Sequence, residues 1–121
     1  MRSRLESLRK AVVRLREALD APETDLNRDA AIQRFEFCFE LAWKTIQGRA
    51  LDEGLECQSP KGCLKLALKL GWLAEETSWL EMLEDRNQTS HTYDEEVAKR
   101  VYSRLAGYVP LLEHLLLKLK D

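Results

Sequence analysis

An all-α fold, an antiparallel bundle of four or five helices, is what this sequence predicts, and three observations carry the prediction. Only five glycines and three prolines occur in 121 residues, which leaves little room for strands and tight turns. Leu, Ala, Glu, Lys and Arg are abundant, and these residues lose little on entering a helix. Apolar residues recur at spacings of three and four, the period of a helix with one buried face. With 45% apolar and 33% charged residues, the chain (1–121) is expected to form one globular domain with a core that needs no staples.

The first helix is expected over about Arg2 to Leu19, where Leu5, Leu8, Val12, Leu15 and Leu19 form the inward stripe. Ala21-Pro22 ends it, because the residue before a proline avoids the α region and proline lacks an amide donor. The second helix runs from about Leu26 to Glu53, with Thr24 or Asp25 as its cap and Gly54 in the position after its end. Its middle, Phe35 to Trp43, is apolar nearly all round and holds every phenylalanine of the chain. Such a helix is central, and a dimer seam along one face is the alternative to complete burial.

Ser59-Pro60 reads as N-cap and first helical residue of the third helix, with Cys63, Leu64, Ala67, Leu68 and Leu70 on it and Gly71 closing it. Thr77 or Ser78 is expected to cap a short fourth helix carrying Trp79, Leu80 and Leu83. The last helix is expected to open on a capping box, Thr92 with Glu95, and Val97, Val101, Leu105, Tyr108, Leu112, Leu115 and Leu119 make its stripe. Gly107 and Pro110 should interrupt that helix or bend it.

Several function classes are disfavoured. The opening residues MRSRLESL carry charge at helical spacing and lack an apolar core, so no signal peptide is expected. No apolar run approaches the roughly 20 residues of a membrane span, and the expected location is the cytoplasm. The cysteines, Cys38, Cys57 and Cys63, stand at spacings of nineteen and six. An odd number so spaced fits neither a disulfide framework nor paired zinc knuckles, and all three are expected as small core residues. A net charge of −2 argues against broad electrostatic binding to nucleic acid, DNA included, so any contact with RNA must be local.

One stretch, Trp79 to Glu96, holds more than a bundle needs. Arg86, Asn87, His91 and Tyr93 crowd one inter-helix corner of a chain with two histidines. Five residues on an unbroken helix amount to about 140° of rotation, so Arg86 and His91 share a cleft only if the helix frays through Asn87 to Ser90. Tyr93 would then be the first residue of the last helix, near its positive end. A fixed guanidinium, a titratable imidazole and a helix N-terminus suit a phosphate; a salt bridge and a helix cap are the structural alternative. Glu84 and Asp85, adjacent on a helix, diverge by about 100° and make a poor chelating pair. His114, between Leu112 and Leu115, is expected at the surface.

The spacing Arg86-x4-His91-x-Tyr93 resembles the R-x4-H-x-Y signature of the HEPN superfamily. Arg34 to Thr45 (RFEFCFELAWKT), Ser59 to Leu64 (SPKGCL) and Trp79 to Asp94 resemble its branch of nucleotidyltransferase substrate-binding proteins, and the similarity covers nearly the whole chain. The resemblance implies a dimeric helical bundle with the Arg/His corners of two copies facing across a shared cleft, and a minimal nucleotidyltransferase as partner. It implies either the toxin of a toxin–antitoxin pair or a non-catalytic subunit binding substrate or nucleotide for the transferase. The toxin would be a metal-independent ribonuclease: His91 as general base or acid, Arg86 holding the phosphate, Asn87 orienting either group, and Tyr93 accepting an adenylyl group that silences cutting. No intrinsic cofactor or metal is implied, since ATP and Mg²⁺ would be used by the transferase.

Overall fold

Helix boundaries follow from capping chemistry at several ends. The computed structural model describes the backbone of residues 2–120 and the side chains of residues 4–120. In order come α1 (Arg2–Asp20), α2 (Asp25–Asp52), α3 (Pro60–Lys69), α4 (Glu76–Gln88), a 3₁₀ turn (Thr89–His91) and α5 (Glu95–Leu119). Thr24 caps α2, its hydroxyl accepting from the amide of Asn27 at 3.0 Å. Ser59 does the same for α3 through Gly62, with Pro60 as the first helical residue. Gly54 (φ 77°) and Gly71 (φ 82°) take the left-handed conformation that reverses the chain after α2 and α3.

The pairings fix the helix directions. Arg4 reaches the carbonyl of Lys44 and Arg34 that of Arg14, so α1 and α2 run antiparallel. The four residues between them, 21–24, permit nothing else. Arg49 reaches the carbonyl of Leu119 while Phe35 stacks on Tyr108, so α5 lies along α2 in the same sense. Asp85 meets Arg104 and Glu81 meets Tyr108, which sets α4 antiparallel to α5. The central position of α2 is as expected: Ala31, Phe35, Cys38, Phe39, Ala42 and Ile46 are buried in one continuous core with Leu8, Leu15, Trp79, Met82, Leu105 and Leu112. No helix among the described residues is long and apolar enough to cross a membrane.

The structure departs from expectation at several places. Phe37 is 55% exposed, because α1, α3, α4 and α5 cover the rest of α2 and leave that face open. Helix α5 is continuous across Gly107 and Pro110; the proline faces solvent, and buried Val109 and Leu112 on either side anchor both halves to the core. Helix α4 starts at Glu76, ahead of Thr77 and Ser78, after a left-handed Glu75 (φ 62°) that has no side-chain cap. The chain must turn quickly there because Leu73 and Trp79 are both buried.

The fourth departure is the last helix cap. Asp94, not Thr92, caps α5 by accepting from the amides of Glu96 (2.9 Å) and Val97 (3.4 Å), so Thr92 and Glu95 form no capping box. The fifth is the cysteines. Cys57 and Cys63 are joined in a disulfide, their Cα atoms 5.1 Å apart, because the Ser59 cap folds the segment back over the first turn of α3. Counting an odd number of cysteines hides a local pair of this kind. Cys38 remains free; it is buried, and burial pushes its thiol up to about 12.

Candidate functional site: the corner of α2, α4 and the 3₁₀ turn

Arg86 stands on the last turn of α4 and points at α2. Its Nη2 pairs with Oε2 of Glu40, and the guanidinium carbon lies 5.7 Å from the centre of the Phe39 ring. Its Nη1 donates to Oδ1 of Asn87 at 3.3 Å. The other carboxylate oxygen of Glu40 accepts from Nε1 of Trp43 at 3.1 Å, with Nζ of Lys44 at 3.8 Å. An ion pair, an aromatic face and an amide therefore fix the plane and direction of the guanidinium. An arginine has five donors, so Glu40 and Asn87 leave others for an incoming phosphate.

The helix does not fray after Arg86. It continues to Gln88 and then tightens into a single 3₁₀ turn, Thr89–His91. Three hydroxyls explain the tightening: Thr89 donates to the carbonyl of Arg86 (2.7 Å), Ser90 to that of Asn87 (3.5 Å) and Thr92 to that of Thr89 (3.1 Å). These bonds occupy carbonyls that a helix end leaves without partners. The turn carries His91 to the surface and places its ring 6.0 Å from that of Tyr93, edge to face. Tyr93 is 86% exposed and precedes the cap of α5, so it is not the first helical residue and does not pack on α2. The corner holds two pairs, Arg86 with Asn87 on α4 and His91 with Tyr93 at and after the 3₁₀ turn that follows it.

Beneath Arg86 lies a polar cluster. Asp85 is 1% exposed; its Oδ1 accepts from Nη1 of Arg104 at 2.8 Å and its Oδ2 from the Tyr108 hydroxyl, with Oε1 of Glu81 3.3 Å from the same hydroxyl. Burial, then the hydrogen bond to Asp85, pushes the Tyr108 phenol well above the ordinary tyrosine value. Glu84 points away to Gln88, as the 100° between adjacent residues requires.

Glu40, Asp85, Arg104 and Tyr108 were not singled out from the sequence as site residues. Glu36 and Glu40, four apart inside an aromatic block, were the available sign of a polar edge on the central helix. Asp85 follows buried Met82 by three residues, a weaker sign of a buried carboxylate. Among the described residues, no group of three or more His, Cys, Asp or Glu side chains is placed to hold a metal ion. His114 is exposed at the far end of α5, away from this corner.

Comparison with known proteins agrees with this frame. Residues 3–121 match the family described as nucleotidyltransferase substrate binding protein like. A Haemophilus influenzae protein named "Probable ribonuclease HepT" is 32% identical over 96 residues, which is 75% of this chain and 66% of that relative's length. A crystal structure from Thermus thermophilus superposes with a TM-score of 0.86 at 41% identity, covering 94% of this chain and 99% of that one. A Haemophilus influenzae structure described as the fold of a substrate binding domain of a nucleotidyltransferase superposes at 0.76 with 29% identity, covering 98% of this chain and 96% of that one. An all-helical bundle with the Arg86, His91 and Tyr93 spacing and a family match over nearly its whole length leads to one assignment: this chain belongs to the nucleotidyltransferase substrate binding protein family, within the HEPN group its motif resembles.

Proposed function

We propose that this chain is the partner of a minimal nucleotidyltransferase and a metal-independent ribonuclease, silenced when the transferase adenylylates Tyr93. The observation that carries this reading is the corner itself: an anchored guanidinium on the last turn of α4, and on the 3₁₀ turn that follows it an exposed imidazole whose ring lies 6.0 Å from that of an exposed tyrosine. The "Probable ribonuclease HepT" relative supports it. In the cutting step, a ribose 2′-oxygen attacks the adjacent phosphorus and the bond to the 5′-oxygen breaks, leaving a cyclic phosphate and a 5′-hydroxyl. His91 takes the 2′-hydroxyl proton or returns one to the 5′-oxygen, and in a cleft shared by two copies the two imidazoles divide these tasks. Arg86 holds the phosphate and stabilises the charge that develops on it; Asn87 and Glu40 keep its plane.

In the silencing step, the Tyr93 phenol oxygen attacks the α-phosphorus of ATP. The bond to pyrophosphate breaks, pyrophosphate is released, and the phenolic proton is lost to solvent. The attached nucleotide adds negative charge beside His91 and excludes RNA. The purified, unmodified chain should cut single-stranded RNA in excess chelator and leave 2′,3′-cyclic phosphate ends. No cleavage by protein shown by mass to be unmodified would sink the nuclease reading.

The second reading is a non-catalytic subunit that binds substrate or nucleotide for the transferase. It is favoured by the net charge of −2 and by the pairing of Arg86 with Glu40, which already neutralises the guanidinium. It expects ATP or AMP to bind the complex more weakly in Arg86→Ala, with no RNA cleavage by either protein.

A further inference from the structure

The open face of α2 is not simply an apolar surface left bare. Beside Phe37 runs a groove between α1 and α2 whose walls carry Lys10, Arg14 and Arg34, and no acidic residue lines it. Arg34 is held in place there, its Nη1 donating to the carbonyl of Arg14 at 2.8 Å. Farther along the same seam Arg4 donates to the carbonyl of Lys44, extending the line of cations. In a chain with 19 basic and 21 acidic residues, a groove with only cations is an exception to the average surface.

An exposed aromatic ring among cations has the makeup of a stacking platform for an unpaired base with its phosphates held on either side. Phe37 and Glu40 are three residues apart on α2, about 4.5 Å along its axis, and Glu40 holds Arg86.

We propose that the α1/α2 groove is a subsite for single-stranded RNA, in which Phe37 stacks one base and Lys10, Arg14 and Arg34 hold the neighbouring phosphates. The subsite rests on the ribonuclease reading and adds to it: it makes the substrate single-stranded, extended beyond the cut, and bound by charge on one face of an otherwise acidic protein. A protein surface covering the same face, above all a second copy of this chain seated on Phe37, is the competing occupant. The absence of acidic residues from the groove walls speaks against it, because a symmetric contact would bring two sets of these three cations into one interface with no carboxylate lining it.

The test is binding of a 12-nucleotide 2′-O-methyl RNA, which cannot be cut, to the full-length unmodified protein at several salt concentrations. Phe37→Ala should weaken binding about tenfold. Lys10→Gln with Arg14→Gln should lower the slope of log affinity against log salt by about 1.4, or about 0.7 for each phosphate no longer neutralised. Both variants alter exposed side chains and should keep the wild-type melting midpoint. Wild-type binding with no change in either variant would overturn the subsite while leaving the ribonuclease reading intact. No binding by the wild type would overturn both. Unchanged RNA affinity in Phe37→Ala, with weakened self-association in sedimentation, would assign the face to a second copy instead.

Discussion

Replacing His91 with alanine should slow RNA cleavage by about 10²–10⁴-fold, the usual contribution of one positioned acid–base group. His91 is exposed and its ring meets only that of Tyr93 among the contacts described, so the melting midpoint should not move. Arg86→Ala should cost about 10²–10³-fold by removing the group that stabilises the charged phosphate. Arg86→Lys should recover little, because an ammonium cannot hold Glu40, Asn87 and a phosphate in one plane. Single-turnover rates on a short RNA, taken with unfolding curves of the same samples, check both. Rates close to wild type in His91→Ala would remove this residue from the chemistry.

The largest effect on stability should come from Asp85, although it touches no substrate in this account. Its carboxylate is buried and accepts from Arg104 and from Tyr108, holding α4 on α5 and so setting the direction in which Arg86 leaves α4. Asp85→Ala leaves the buried Tyr108 hydroxyl with Glu81 alone and should cost about 3 kcal/mol. Asp85→Asn keeps the volume and one acceptor and should cost about half as much. Urea unfolding measures both. The same cluster makes a pH prediction. The Tyr108 phenol titrates higher in the folded protein than its ordinary value of 10.0, so the folded state favours its neutral form. That contribution is complete below about pH 10 and is lost as the pH climbs above it, so stability should fall in alkali. Tyr108→Phe should remove that part of the fall.

Much of the bundle was legible because it depends on short-range chemistry. The Thr24 cap, the Ser59-Pro60 start, the glycines after α2 and α3 and the stripes of α1 and α5 each follow from a few neighbouring residues. The failures share a cause, which is competition decided by residues distant in sequence or by a rival local bond. Thr92 does not cap α5 because, as the end of the 3₁₀ turn, its backbone is still helical (φ −76°, ψ −1°), and the extended Asp94 takes the role. Pro110 does not break α5 because buried Val109 and Leu112 hold both sides of it.

At the corner, residue types and spacing pointed to Arg86, Asn87, His91 and Tyr93, but their geometry was not readable. Glu40 arrives from 46 residues away. The turn that carries His91 is wound by three hydroxyls, each of which alone is ordinary in sequence. The Cys57–Cys63 pair escapes a sequence reading for the opposite reason: it closes within six residues, inside a turn whose Ser59 cap is plain in the sequence.

The central claim is that Tyr93 is the target of a nucleotidyltransferase, and intact mass tests it most directly. The chain would be measured after expression alone and together with a minimal nucleotidyltransferase. The account predicts an increment of one or more AMP units, mapped to Tyr93, absent in Tyr93→Phe and accompanied by loss of RNA cleavage. An unmodified Tyr93 in the presence of a demonstrably active transferase and ATP would contradict it.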